Sequence, residues 1–387
     1  MKNHKNNGTI DRSLDRILRE APAVPLNDAG RWVIFSDLHL GNGGPKDDFK
    51  RNAPLFLRIL ESYYLKKGFG LILNGDIEEL QRFSFKKIVN RWKDVFALFG
   101  RFQAGPGLIK IVGNHDIELL SKTELQMGIP VREAVRLEYG RDSLLVFHGH
   151  QARRFSPLLT TLGHWVVRFL ASPLGITNYS TAANSRKKYR IEKRIYGFAN
   201  ERKIAAVIGH THRPLFESLS KLDTLRFKIE QVCRRYPDLT SPERPAMERK
   251  IQGYLGEMKD LLARKDKYDR VGSLYQTLPP LPSVFNSGCG IGQSGLTGLE
   301  IADGQISLVH WFDSRRPRKE LERNGNSPEP LADTGYYRVV LKSEPLDYIF
   351  TLIRLLSPGA QSRPPLPEKT ELAGIKVHDL RENFEAA

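Results

Sequence analysis

Apolar positions in the first 210 residues gather into short runs at 32–35, 71–73, 108–112, 144–147 and 204–208. Each run is rich in β-branched or aliphatic side chains and has no polar alternation. That is the pattern of a strand buried on both faces of a sheet. Every run ends in a polar island: Asp37-Leu38-His39, Gly75-Asp76, Gly113-Asn114-His115-Asp116, His148-Gly149-His150 and Gly209-His210-Thr211-His212. Between runs, residues 49–64 and 85–98 repeat apolar positions at helical spacing with basic outer positions. The alternation predicts the β-α-β rhythm of a layered α/β fold.

Two insertions interrupt the rhythm. Residues 151–203 separate the fourth island from the fifth and should overhang them as a cap. They begin with Arg153, Arg154 and Phe155, pass through an oily stretch at 158–176 that includes Trp165, Phe169 and Leu170, and reach Arg186, Lys187, Lys188, Arg190, Lys193 and Arg194. Oil followed by cations suits a ligand with an anionic head and an acyl tail, or an anionic membrane surface. It suits equally an ordinary helix with a solvated basic face. Residues 215–282 carry two helical stripes, Leu222, Leu225, Ile229 and Val232, then Met247, Ile251, Tyr254, Met258, Leu261 and Leu262. Prolines at 237, 242 and 245 separate the stripes, predicting a helical hairpin that projects from the core. A closing strand pair at 298–302 and 306–311 is joined by Asp303-Gly304, a strong hairpin signal. Residues 1–30 read as a polar leader with a short helix near 10–19. Residues 31–313 hold the main domain, and 314–387 form a basic, Pro-rich tail with one amphipathic stretch at Leu346–Leu356.

Composition narrows the classes. The 387 residues are 40% hydrophobic and 27% charged, with no apolar run long enough to span a bilayer, as in a soluble globular protein. The start is polar and lacks an apolar signal core. Cys233 and Cys289 stand in unrelated contexts, which points to a reducing cytosol rather than a disulfide framework. A net charge of +16 attracts polyanions, whether phosphorylated metabolites, nucleic acid or anionic lipid, or serves solubility alone.

The islands carry the chemistry. A lone Asp before a loop is usually a cap or turn former, and a lone His is usually a packed core residue. Five islands of Asp, Asn and His at five strand ends are another matter. They describe one site of hard oxygen and borderline nitrogen donors without thiolate, suited to Mn, Mg, Fe or Zn in hydrolysis rather than to a structural zinc. His164 and His310, set among aromatic and aliphatic neighbours, read as core residues.

In order and wording the islands resemble the calcineurin-like metallophosphoesterase superfamily, whose pattern is D-x-H, G-D, G-N-H-D/E, H and G-H-x-H. The resemblance covers roughly residues 31–213 and a closing segment near 283–311. It implies a four-layer αββα sandwich and two divalent cations, Mn²⁺ foremost. Asp37, His39 and His212 would hold one cation, Asn114, His148 and His210 the other, and Asp76 would bridge them. A metal-bridging hydroxide would attack phosphorus. His115 would protonate the leaving oxygen, with Asp116 orienting its ring; His150 is either a ligand or an orienting residue, with His148 favoured as the ligand.

Within the superfamily the chain looks most like the bacterial group containing UDP-2,3-diacylglucosamine pyrophosphatase. The likeness rests on the cap, on Gly209-His210-Thr211-His212-Arg213-Pro214 and on Asn286-Ser287-Gly288-Cys289 before a Gly-Leu-Glu-Ile…Asp-Gly hairpin. It implies pyrophosphate cleavage in a lipid A precursor at the inner face of the cell membrane. Arg153, Arg154, Arg186, Lys187, Lys188 and Arg190 would then meet its phosphates. That group has Arg where this chain has His115, and its pattern lacks the 215–282 hairpin. A nucleic-acid or cyclic-nucleotide phosphodiesterase and a protein phosphatase remain alternatives. A non-catalytic scaffold fits less well, because no ligand position is missing.

Overall fold

The structure is a computed structural model, and it describes residues 4–26, 30–122, 128–152, 185–216, 242–263, 281–291, 295–315 and 328–357, with scattered positions between 225 and 240. Thirteen strands among these form two sheets. The first has the order β1-β6-β7-β8-β9: β1 (Ala23–Pro25), β6 (Ala134–Tyr139), β7 (Asp142–Phe147), β8 (Ala205–Ile208) and β9 (Val284–Asn286). The second has the order β12-β13-β11-β10-β2-β3-β4-β5: β12 (Glu329–Pro330), β13 (Tyr336–Pro345), β11 (Gln305–Asp313), β10 (Leu296–Ala302), β2 (Trp32–Phe35), β3 (Gly70–Asn74), β4 (Leu108–Ile111) and β5 (Val131–Arg132). The strands β2 to β5 run parallel, as do β7, β8 and β9.

Side-chain alternation along these strands builds the layers. Ile34, Ile72 and Ile111 point inward and meet Val135, Leu137, Leu144, Val146, Ala205, Val207 and Phe285 of the facing sheet. Val33, Phe35, Leu71 and Leu73 point the other way, onto helices α2 (Ala53–Ile59, continued to Leu65 by a wider turn) and α4 (Lys93–Ala104). On the far side Leu145, Phe147, Ala206 and Ile208 pack against α1 (His4–Glu20) and α5 (Ser185–Arg202). Helix, sheet, sheet, helix is the expected αββα sandwich.

The helix expected over 85–98 is two, α3 (Phe85–Arg91) and α4, broken at Trp92. The break turns the indole inward, where Nε1 donates to Gly41 O at 3.0 Å and Asp47 Oδ2 at 3.1 Å. Asp303 (φ 52°) and Gly304 (φ 69°) form the β10–β11 turn, both left-handed as a two-residue hairpin requires.

Both ends of the main domain lie further out than the sequence suggested. The leader is integral: Leu14 and Ile17 of α1 are buried on the β7–β8 face, β1 pairs with β6, and Asp15 accepts from Arg202 of α5 at 2.7 Å. The tail does not begin at 314 either. β13 pairs antiparallel with β11 from Asp313 back to Gln305, and α7 (Leu346–Leu356) buries Ile349, Phe350 and Ile353 between the sheets. The cap residues 153–184, Arg153, Arg154 and the oily stretch among them, lie outside the described residues. Of the hairpin, α6 (Arg244–Ala263) sets Tyr254 and Met258 against Leu225, Ile229 and Val232 in a small cluster of their own, so the two stripes meet as expected. Among the described residues no helix is long and apolar enough to cross a membrane.

Candidate metal centre

All five islands sit at the C-terminal ends of strands, on β2, β3 and β4 of one sheet and β7 and β8 of the other. The two loop sets meet over the open edge of the sandwich. After β2 and β3 the chains stay paired, with Asp37 N donating to Gly75 O and His39 N to Asp76 O, both at 3.0 Å. Across the sheets, His210 N donates to Asp37 Oδ2 at 3.0 Å, and between neighbouring loops of one sheet His115 N donates to Asp76 Oδ1 at 2.8 Å. Glycines permit the approach. A Cβ on Gly209 would lie 2.6 Å from Asp37 Oδ2, and one on Gly113 would overlap the Asp76 carboxylate. The phrase Asn286-Ser287-Gly288-Cys289-Gly290 braces the same loops, through Asn286 Nδ2 to Gly209 O and Gly290 N to Asp37 O.

Backbone strain concentrates here. Among the described residues eight non-glycine positions have left-handed φ, and five of them are Asp37, His39, Asp76, His210 and His212. Such strain costs energy and clusters where function demands an exact side-chain direction.

The side chains form three groups, each with its ligand atoms mutually within 4.8 Å: Asp37, His39 and His212; Asp76, His148 and His210; and His39, Glu79 and His115, which shares His39 with the first. The groups adjoin, since His148 Nε2 lies 3.1 Å from Asp76 Oδ2 and 4.0 Å from Asp37 Oδ1. His39 Nε2 and His212 Nε2 face each other at 3.3 Å, an arrangement that needs a proton or a cation between them. Buried and without a hydrogen-bond partner are Asp37 Oδ1, Asn114 Oδ1, His148 Nε2 and His210 Nε2. Desolvated lone pairs left unfilled are costly. Those on Asp37, His148 and His210 belong to groups whose ligand atoms could hold metal. Tautomers agree: His148 Nδ1 donates to Asn74 O at 2.9 Å and His39 Nδ1 to Glu79 Oε2 at 3.0 Å, leaving each Nε2 directed inward.

Charge in this cluster is tightly matched. Burial pushes the Asp37 carboxyl up, but His212 and His148 outweigh it and hold it at about 2. Against the same burial, His148 and His115 keep Asp76 well below the usual range. Burial opposes protonation of His148, yet Asp76 and Asp37 raise it to about 9; Asp76 and Glu79 likewise raise His115 to about 10. His210 is driven well down by burial and by the cationic His148.

The partner of His115 differs from expectation. Its Nδ1 donates to Glu79 Oε1 at 2.8 Å, so one carboxylate spans the His39 and His115 rings. Asp116 instead accepts Gly113 N at 2.6 Å and Ile77 N at 2.7 Å, tying together the loops after β3 and β4. Burial, Glu78 and Asp76 push the Asp116 carboxyl up to about 7. Asp116 thus shapes the backbone beneath the site, and Glu79 orients the ring. The only sequence hint of Glu79 was an acidic pair, Glu78-Glu79, separated from Asp76 by Ile77 alone; the structure buries both carboxylates.

His150 is buried 5.5 Å, ring to ring, behind His148. His310 stacks on Phe312 away from the site, and His164 lies outside the described residues. Of the predicted phosphate-binding cations, Lys188 is half-buried and interacts electrostatically with Glu192, Arg213 and, more weakly, Asp37. Burial lowers its pKa. Arg190 is exposed. Arg186 and Lys187 lie on α5, and their side chains are outside the described set.

No family model and no curated protein matches the chain. A solved structure of a single-site variant of Vps29 from Entamoeba histolytica aligns over 73% of this chain and 92% of that one. Its sequence identity is 9% and its TM-score 0.29. A likeness that slight adds nothing to the architecture read directly from the strands.

Proposed function

We propose that the chain is a dinuclear metal-dependent phosphoesterase. The observation that carries this reading is the meeting, from both sheets, of the ligand groups Asp37, His39 and His212 and Asp76, His148 and His210, with buried, unpartnered ligand atoms on Asp37, His148 and His210. Asp37, His39 and His212 would hold one divalent cation; Asn114, His148 and His210 the other, with the Asp76 carboxylate shared. When bound, such a pair supplies Lewis acidity to phosphoryl oxygens and an activated water.

The chain's own residues do the rest. Glu79, held at about 2 against its burial by His115 and His39, stays ionised and fixes both rings. In the metal-free site His115 is raised to about 10 by Asp76 and Glu79 and carries a proton at neutral pH. Its Nε2, 4.0 Å from Asp76 Oδ2, is free to pass a proton to a leaving oxygen. Lys188, half-buried and within electrostatic reach of Asp37, offers a substrate phosphate a cation. That placement and the +16 charge favour a phosphate-rich substrate. The finer form of the proposal is hydrolysis of a pyrophosphate-linked acylated sugar nucleotide.

Elemental analysis of purified protein reloaded with Mn²⁺ should give two ions per chain. A turnover screen over monoesters, diesters, nucleotide-diphosphate lipids and single-stranded DNA should then find a substrate whose cleavage is lost in Asp76→Ala. No bound metal refutes the metal centre. Two metals with no turnover anywhere in the screen point to a binding scaffold instead.

A further inference from the structure

The loop between the fifth strand and its two imidazoles is the hardest part of the centre to hold. His210 belongs to one ligand group and His212 to the other, and both have left-handed φ, 62° and 53°. Thr211 N donates to Gly209 O at 2.7 Å, closing a three-residue turn about His210 of the rare positive-φ kind. Such a turn persists only when its surroundings over-determine it.

What over-determines it comes from another element. Glu192, on α5, is fully buried. Its Oε1 accepts Thr211 Oγ1 at 2.8 Å and Arg213 Nε at 3.3 Å, and its Oε2 takes the Arg213 guanidinium in a second, shorter bond. Thr211 Oγ1 in turn accepts Asn286 Nδ2 at 2.9 Å. Residues 211 and 213, which bracket His212, are thereby fixed to one carboxylate. The same helix reaches the exit of β7, where Arg194 donates to Ala152 O at 3.1 Å, four residues past His148.

We propose that Glu192 is a positioning residue for the dinuclear centre. Through Thr211 and Arg213 it sets the spacing between the two ligand groups, and it couples that spacing to α5, the helix on which the 153–184 segment ends. The inference rests on the metal-centre reading above. It adds a residue remote from the ligands whose loss changes how two cations sit together.

The test uses the full chain loaded with Mn²⁺, read by titration calorimetry and by the spin coupling between the two ions in electron paramagnetic resonance. Thr211→Val keeps the shape and removes the hydroxyl link. It should lower metal affinity about 10–100-fold, the range for lost outer partners of ligands, and weaken the coupled signal. Thr211→Ser should restore both. Wild-type affinity and an unchanged coupled spectrum in Thr211→Val overturn the proposal. Should Thr211→Val not fold, Glu192→Gln carries the test: weakened metal binding with helix content intact supports it, and wild-type binding overturns it. A wild-type chain that takes up no Mn²⁺ fails the metal centre itself, a result distinct from any variant effect.

Discussion

Removing the metals and scanning pH should give two stability curves of opposite slope. In the metal-free chain His148 is held at about 9 by Asp76 and Asp37, whereas its unfolded value is near 6.5. A group raised on folding contributes stability that is complete below 6.5 and lost as pH climbs through 9. The gap of about 2.5 units corresponds to roughly 3 kcal/mol, or a fall in Tm on the order of 5 °C for a chain of this size. His115, raised to about 10, acts in the same direction. On the acid side, Asp37 and Glu79, both held at about 2, lose their contribution as pH falls below their ordinary values. His210, pushed well down, adds to that loss, since the unfolded chain binds a proton there that the folded chain refuses.

With metal present the alkaline arm reverses. A cation needs the Nε2 lone pair that the proton occupies, so affinity rises by up to about tenfold per pH unit for each proton displaced, and bound metal stabilises by mass action. Differential scanning calorimetry of chelator-treated and Mn²⁺-loaded protein from pH 6.5 to 9.5 reads both. The metal-free slope should flatten in His148→Gln. A metal-free curve that is flat, or as steep in His148→Gln as in wild type, refutes the assignment of the buried charge. Parallel curves with and without Mn²⁺ refute metal binding at these nitrogens.

Two further perturbations probe the site and its foundation. His115→Ala should keep both metals yet slow a substrate with a poor leaving group about 10²–10⁴-fold and a nitrophenyl ester far less; equal losses leave His115 a positioning group, and metal loss reassigns the ligands. Lys110 and Glu78 form an ion pair at 2.5 Å with side chains 2% and 0% exposed. Lys110→Met should therefore cost about 3–5 kcal/mol in urea unfolding, most of it recovered in Lys110→Met/Glu78→Gln, and a cost near zero means the pair is not ionised.

The donor set was legible because it follows strands: a buried run predicts both its own sheet and the place where it ends. Asp37, Asp76, Asn114, His148 and His210 are tied to such ends by one to three residues, leaving little freedom for error. Glu79 and Glu192 were not legible. Neither lies at a strand end, and each matters only through a ring or hydroxyl brought to it by another loop. Asp116 misled for the same reason: adjacency to His115 suggested a partner, but the loop turns the carboxylate toward two backbone amides. β13 and the packing of α1 on the core escaped because their apolar faces are narrow stripes in polar segments. Their burial depends on a sheet face supplied by residues more than a hundred positions away or late in the chain.

The interleaving of β13 and α7 with the main sheets bears on how the protein is made. Every ligand-type residue has been synthesised by position 212. Yet the space between the sheets is sealed by Ile349, Phe350 and Ile353, and β11 gains its outer neighbour only from Tyr336–Pro345. A growing chain therefore carries a full set of imidazoles and carboxylates for over a hundred residues before the frame that separates them can close. The sandwich is thus completed late in the chain, by a strand and a helix remote in sequence from every ligand-type residue.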